Sequence, residues 1–233
     1  MTSTTKGSAR HQPKGLVVLY EDLDVIVIAK PVGLLTIGTE RDKSRTVHAI
    51  LNDYVRKGNP KSRHRVYVVH RLDRDTSGVL IFAKNEQSKQ YLQENWTDTE
   101  KKYLAVVYGR MTPTEGMISS YLTENSALRV FSTDDSGTGK LARTEYTTLR
   151  EAKGFSLLSI TLLTGRKHQI RVHFADKGYP IVGDRKYGKA GDGYQWLALH
   201  ARSLTFTQPV TRERLTFSTA IPDYFVKLVG KSD

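Results

Sequence analysis

Residues 66–84 read VYVVHRLDRDTSGVLIFAK, two β-branched apolar runs on either side of the polar stretch HRLDRDTSG. Short apolar runs of this kind, bounded by polar residues, read as strands buried in a sheet. Any fold for this chain must therefore connect two core strands through two arginines, two aspartates and a histidine. A tight hairpin needs only about two to five turn residues, typically Asn-Gly or Asp-Gly. The longer, charged connection reads in two ways. It is a salt-bridged surface loop, or it holds Asp73 or Asp75 as a reactive carboxylate kept ionised by Arg71 and Arg74.

The flanking sequence predicts an α+β chain, mostly antiparallel sheet with a few flanking helices, built as one domain over 15–230. Leu16–Tyr20 and Val25–Ala29 enclose an acidic turn and form a hairpin that Pro31 and Gly33 end. Val47, Ile50, Leu51, Tyr54 and Val55 follow a helical period, with Gly58 as the C-cap of a helix over 46–57. A second helix follows Asn85, an N-cap residue, over 86–96. Strands are expected at 101–109, 144–150, 155–163 and within 198–209 and 214–222, with short strands and a loose loop between 111 and 145. TGRKHQIRVHFADKGYP reads as a turn, a helix of about ten residues, and a stop at Gly178.

The 233 residues carry 36 Lys and Arg against 24 Asp and Glu, a net charge of +12, which attracts polyanions and makes nucleic acid the first candidate partner. There is no cysteine, so disulfides, thiolate nucleophiles and cysteine-bound metals are excluded. No apolar run approaches the ~18 residues of a membrane span. Residues 1–14 carry Lys6, Arg10 and Lys14 without an acid and read as a disordered basic arm with no signal-peptide core. The expectation is a cytoplasmic protein with no membrane association.

Several motifs carry no chemistry on inspection. DSGTGK lacks the spacing of a phosphate loop. His168 and His173, five residues apart, fall on different faces of a helix, which argues against a metal pair. Ser77 and His70 lack a nucleophile-elbow context. Two segments remain. TGRKHQIRVH opens a helix with Arg166, Lys167, His168 and Arg171. It is either a solvated basic helix end or a phosphate-binding start, with Arg171 placed to turn inward onto a carboxylate. Tyr103, at a strand start behind two lysines, is either an ordinary rim residue or a stacking platform for an unstacked base.

These segments, in this order, resemble the RluA family of RNA pseudouridine synthases. HRLDRDTSG fills every fixed position of that family's HRLDxxTSG signature. KKYLAVVYG resembles its tyrosine motif, TGRKHQIRVH with GYPIVGDRKYG its arginine motif, and DLDVIVIAKPVGLL its first motif. The resemblance implies a pseudouridine synthase fold with a central RNA-binding cleft, acting as a monomer without metal or cofactor. It implies Asp73 as the catalytic carboxylate, Arg171 as the arginine paired with it, and Tyr103 as the ring stacked on the target uracil. Ile170 lines the other side of that pocket, Arg71 enters the RNA where the uridine leaves, and His70, Arg166, Lys167 and His168 contact RNA. Lys30, Pro31, Gly33 and Thr76–Gly78 read as scaffold for the Asp73 loop. The sequence after Gly33, LLTIGTERDKS, departs from relatives that have a histidine or proline there, and the chain resembles the short subgroup without an N-terminal RNA-binding domain.

The implied reaction isomerises uridine to pseudouridine in ribosomal or transfer RNA. Two other functions stay open at the level of sequence. A non-catalytic RNA-binding or ribosome assembly factor would share the charge and the aromatics. A carboxylate hydrolase acting on sugars would need two acids at glycosidase separation and has no use for a +12 charge.

Overall fold

A computed structural model describes residues 12–38 and 46–230. The basic arm lies outside the described residues up to position 11, as does most of the divergent segment after Gly33, at 39–45. Contacts divide the chain into two compact units, Met1–Thr99 with Leu204–Thr219, and Glu100–Ser203 with Ala220–Asp233.

In the first unit, β1 (Val17–Glu21) and β2 (Val25–Lys30) form the expected hairpin. Its turn closes because Asp22 Oδ1 accepts from the backbone N–H groups of Asp24 and Val25, both at 2.7 Å. β4 (Ser77–Ala83) lies antiparallel to β2, with Lys30 opposite Gly78, and every residue of β4 is buried. β3 (Tyr67–Val68) pairs with the far end of β4, Tyr67 opposite Ala83. Helix α1 (Val47–Arg56) starts at Thr46, whose Oγ1 accepts from Ala49 N, and its left-handed cap is Lys57 (φ 52) rather than the expected Gly58, which follows it. Asn85 caps α2 (Glu86–Glu94) as expected, accepting from Ser88 N at 2.7 Å. The core of this unit joins Val25, Val27, Val79 and Ile81 to Leu92, Leu204 and Phe206.

In the second unit, β5 (Glu100–Tyr108), β9 (Phe155–Leu162), β8 (Lys140–Ala152), β6 (Glu115–Glu124) and β7 (Val130–Thr133) lie in that order, all antiparallel. The region expected to hold short strands is thus built of antiparallel strands in which β6 lies between β8 and β7. Its β7–β8 turn is organised by Asp135, whose carboxylate accepts from Gly137 N and Thr138 Oγ1. A Cβ at Gly139 would come within 2.5 Å of Tyr121 Cβ, so the turn requires glycine there. Helix α3 (Gln169–Asp176) packs on β6, β7 and β8, and α4 (Asp223–Val229) on β5, β8 and β9. β10 (Leu199–Thr207) leads from the second unit back into the first, where β11 (Arg214–Ser218) pairs with it. Among the described residues no helix is long and apolar enough to cross a membrane.

Two expectations are corrected. The helix after Gly165 has eight residues, not about ten, and starts at Gln169, so Arg166, Lys167 and His168 precede it. His168 takes a left-handed backbone (φ 55), and the Gln169 side chain folds back to accept from Arg166 N and Thr164 Oγ1. The closing helix α4 was not anticipated.

Candidate active site

Asp73 sits in the connection between β3 and β4, half-buried, with Arg71, Arg74 and Asp75 exposed around it. The loop is held from below. Thr36 Oγ1 donates to Leu72 O at 2.8 Å and accepts from Leu72 N at 3.2 Å, and both residues are buried. Gly33 N donates to Arg74 O at 2.9 Å, and Arg74 Nε returns a bond to Gly33 O. Asp73 O accepts from Thr76 N, which closes a turn over Arg74 and Asp75. His70 puts its ring 4.5 Å from that of Trp96 and its Nε2 toward Ile81 N.

Lys30 lies beneath this loop, 2 % exposed. Its Nζ donates to Pro31 O and Arg74 O, both at 2.9 Å. Burial lowers its pKa to about 8, against the upward pull of the Asp75 and Asp73 carboxylates. The single bond to Arg74 O suits the scaffold role expected of Lys30. Nothing in the sequence signals that this ammonium is buried with its field reaching both aspartates. Thr36 was missed altogether, because no pattern marks a threonine that clamps a backbone 36 residues away.

The second unit carries the other sequence-selected residues. Tyr103 is half-buried on β5, opposite Ile160, and packs against the core cluster that contains Ile170 and Phe174. Arg171 turns inward, as its position on the helix predicted. Its Nε and Nη2 each donate at 2.8 Å to Asp184, on Oδ2 and Oδ1. Burial pushes the Asp184 carboxyl up, but Arg171 and the N–H groups of Lys186 and Tyr187 outweigh it and hold the carboxyl below its usual value. Gly183 precedes this acid with φ 74, and a Cβ there would fall 2.1 Å from Trp196 O. Asp184 lies in the segment quoted with the arginine motif, but spacing alone did not mark it as a partner.

Tyr187 organises the surface next to this pair. Its hydroxyl accepts from Val130 N and meets His168 Nδ1 at 2.8 Å, and the Arg171 guanidinium lies 5.1 Å from its ring centre. Lys167 pairs with Glu124 and holds that carboxyl below its ordinary range. Arg166 is exposed, its Nε on Leu141 O. His173, expected to lie apart from His168, is buried between Ser120 and Thr144, and burial lowers its pKa to about 4.

Residues 24–176 match the family model described as RNA pseudouridylate synthase. A protein of Xanthomonas campestris named ribosomal large subunit pseudouridine synthase D is 35% identical over 245 residues, covering 97% of this chain and 72% of that one. The tRNA pseudouridine synthase C of Haemophilus ducreyi is 33% identical over 236 residues, covering 92% and 94%. The solved structure of human RNA Pseudouridylate Synthase Domain Containing 4 superposes with a TM-score of 0.76 at 25% identity, covering 90% of each chain. The family to which the four sequence motifs pointed is the one found by these matches: this chain belongs to the RNA pseudouridylate synthases.

Proposed function

We propose that this enzyme isomerises specific uridines to pseudouridine in ribosomal or transfer RNA, with Asp73 as its catalytic carboxylate. The reaction breaks the N1–C1′ glycosidic bond, turns the uracil within the site and joins C5 to C1′. The proton lost from C5 is balanced by one gained at N1, and nothing else enters or leaves. Ejecting the uridine from its stack costs a few kcal/mol. Tyr103 returns roughly 1–3 kcal/mol by stacking on the base. Arg171 favours the ionised form of the carboxylate, Ile170 lines the base pocket, and Arg71, His70, Arg166, Lys167 and His168 contact RNA. An ionised Asp73 can attack C1′, attack C6 or remove a proton from C2′, and the proposal holds for all three.

The observation that carries this reading is the support of the Asp73 loop. Thr36, Gly33 and Lys30 fix the main chain of the residues on either side of Asp73, which is what preorganisation of a reacting group demands. Relatives named for the large ribosomal subunit and for transfer RNA support both RNA classes as targets. The protein is taken to act as a cytoplasmic monomer.

Mapping pseudouridine in the stable RNAs of a strain lacking the gene tests the proposal. A site should vanish and return with wild type but not with Asp73→Asn, while Asp73→Asn binds RNA within about tenfold of wild type. Full activity in Asp73→Asn overturns the assignment of the carboxylate. No missing site in any stable RNA favours the non-catalytic binding factor.

A further inference from the structure

We infer that Arg129 and Lys186 form a phosphodiester-binding site beside Tyr187 that grips the backbone of the RNA substrate. The inference rests on the proposed function for the identity of the polyanion. Arg129 follows the β6–β7 turn, and its Nη1 donates to Lys186 O at 2.8 Å. Lys186 Nζ in turn donates to Leu128 O. Each cation is therefore tied to the other's segment through main-chain oxygen. Both are brought to one aromatic ring, with the Arg129 guanidinium 5.0 Å and the Lys186 ammonium 5.9 Å from the centre of Tyr187. The ring cannot swing away. Its hydroxyl is pinned by Val130 N and His168, and the Tyr187 side chain packs on Leu122, Val130, Ala142 and Val172.

Two like charges held at one ring repel each other, and Lys186 meets a carboxylate only through the field it exerts on Glu124, with which it makes no ion pair. Among the described residues neither Arg129 nor Lys186 ion-pairs with a carboxylate. The two nearby acids are engaged elsewhere, Glu124 by Lys167 and Asp184 by Arg171. Fixed cations bonded only to carbonyl oxygens keep their charge available to an incoming anion, and a protein with a +12 charge that acts on RNA meets phosphodiesters first. The chemistry suits that ligand. The guanidinium offers a planar fork of donors and the ammonium a compact point charge, a pairing matched to the oxygens of a phosphodiester.

The test measures binding of a labelled transfer RNA transcript and a labelled large-subunit ribosomal RNA transcript across salt concentration. Replacing both residues, Arg129→Gln with Lys186→Gln, should reduce the slope of log affinity against log salt by roughly 1.5 for the better-bound transcript. The charge-preserving pair Arg129→Lys with Lys186→Arg should keep the wild-type slope. Lys153→Gln with Lys227→Gln removes the same charge near the β8–β9 turn, at the opposite end of β8 from the β6–β7 turn, and should change the slope by less than half as much. Should the double glutamine variant fail to fold, the exposed Arg129→Gln alone should still reduce the slope by about 0.7. Equal effects from the two glutamine pairs, or an unchanged slope, overturn the site. Because the readout is binding, it is independent of Asp73. An active Asp73→Asn enzyme with a reduced slope in the Arg129 and Lys186 variants overturns the catalytic assignment and leaves this site standing.

Discussion

Arg171 and Asp184 meet in a two-bond fork, 2.8 Å on each arm, with the carboxylate side chain fully buried. The same Oδ1 also accepts from Lys186 N and Tyr187 N. The acid therefore fixes an arginine on α3 and the start of the segment that presents Tyr187.

Asp184→Asn should be strongly destabilising. Removing one partner of a buried pair costs about 3–5 kcal/mol, because the other charge stays buried without it. The sign with pH follows from the lowered carboxyl. Its contribution is complete above the unfolded carboxylate value near 4 and is lost as pH falls through the lower folded value. Urea unfolding from neutral pH into acid should show wild type and Asp184→Asn converging; a constant gap down to the lowest pH counts against the pair as the cause.

Thr36→Val keeps the shape of the side chain and removes both bonds to Leu72. Two buried backbone groups next to Asp73 lose their partner, at a cost of about 1–3 kcal/mol for each group left unsatisfied. Denaturant midpoints should fall, Thr36→Ser should recover most of the loss, and pseudouridine formation should fall with the loosened loop. A stable but fully active Thr36→Val would show that the clamp is dispensable.

Lys30→Met removes the ammonium that holds Arg74 O. A misplacement of about 1 Å in a catalytic group can cost up to 100-fold, so turnover at saturating RNA should fall tenfold or more. Stability carries a second signature. The folded pKa near 8 lies below the ordinary lysine value of 10.5, so the unfolded chain binds more protons between these values and wild-type stability rises across that window. Lys30→Met should lack that rise in base titrations followed by unfolding.

His173 supplies a test in mild acid. With a folded pKa near 4 against 6.5 unfolded, its contribution is complete above about pH 6.5 and drains away as pH falls toward 4, by at most ~1.4 kcal/mol per pH unit. His200, also lowered to about 4 by burial, acts with the same sign. His173→Gln should be less stable at neutral pH yet show a shallower loss between about pH 6.5 and 4. An unchanged slope would place the acid sensitivity elsewhere.

The strands β2 and β4 were legible because unbroken β-branched runs leave few alternatives, α1 because its apolar residues keep a helical period, and α2 because Asn85 marks its start. β6 was not, since most of its residues are exposed or half-buried and its alternation is weak. α4 has only seven residues after Pro222, too few for a period to declare itself. The start of α3 moved because the Gln169 side chain competes for backbone donors that a longer helix would use. At the site, short motifs drew attention to Asp73, Arg171 and Tyr103. The burial of Lys30, the grip of Thr36 and the Asp184 fork arise from tertiary packing, which local pattern does not encode.

The Asp73 loop is anchored chiefly at peptide atoms, the N–H and C=O of Leu72 and the C=O of Arg74. Peptide atoms are alike whatever side chain is attached. The main-chain grip therefore does not depend on the side chain at 75, whereas Arg74 adds a side-chain bond of its own to Gly33 O.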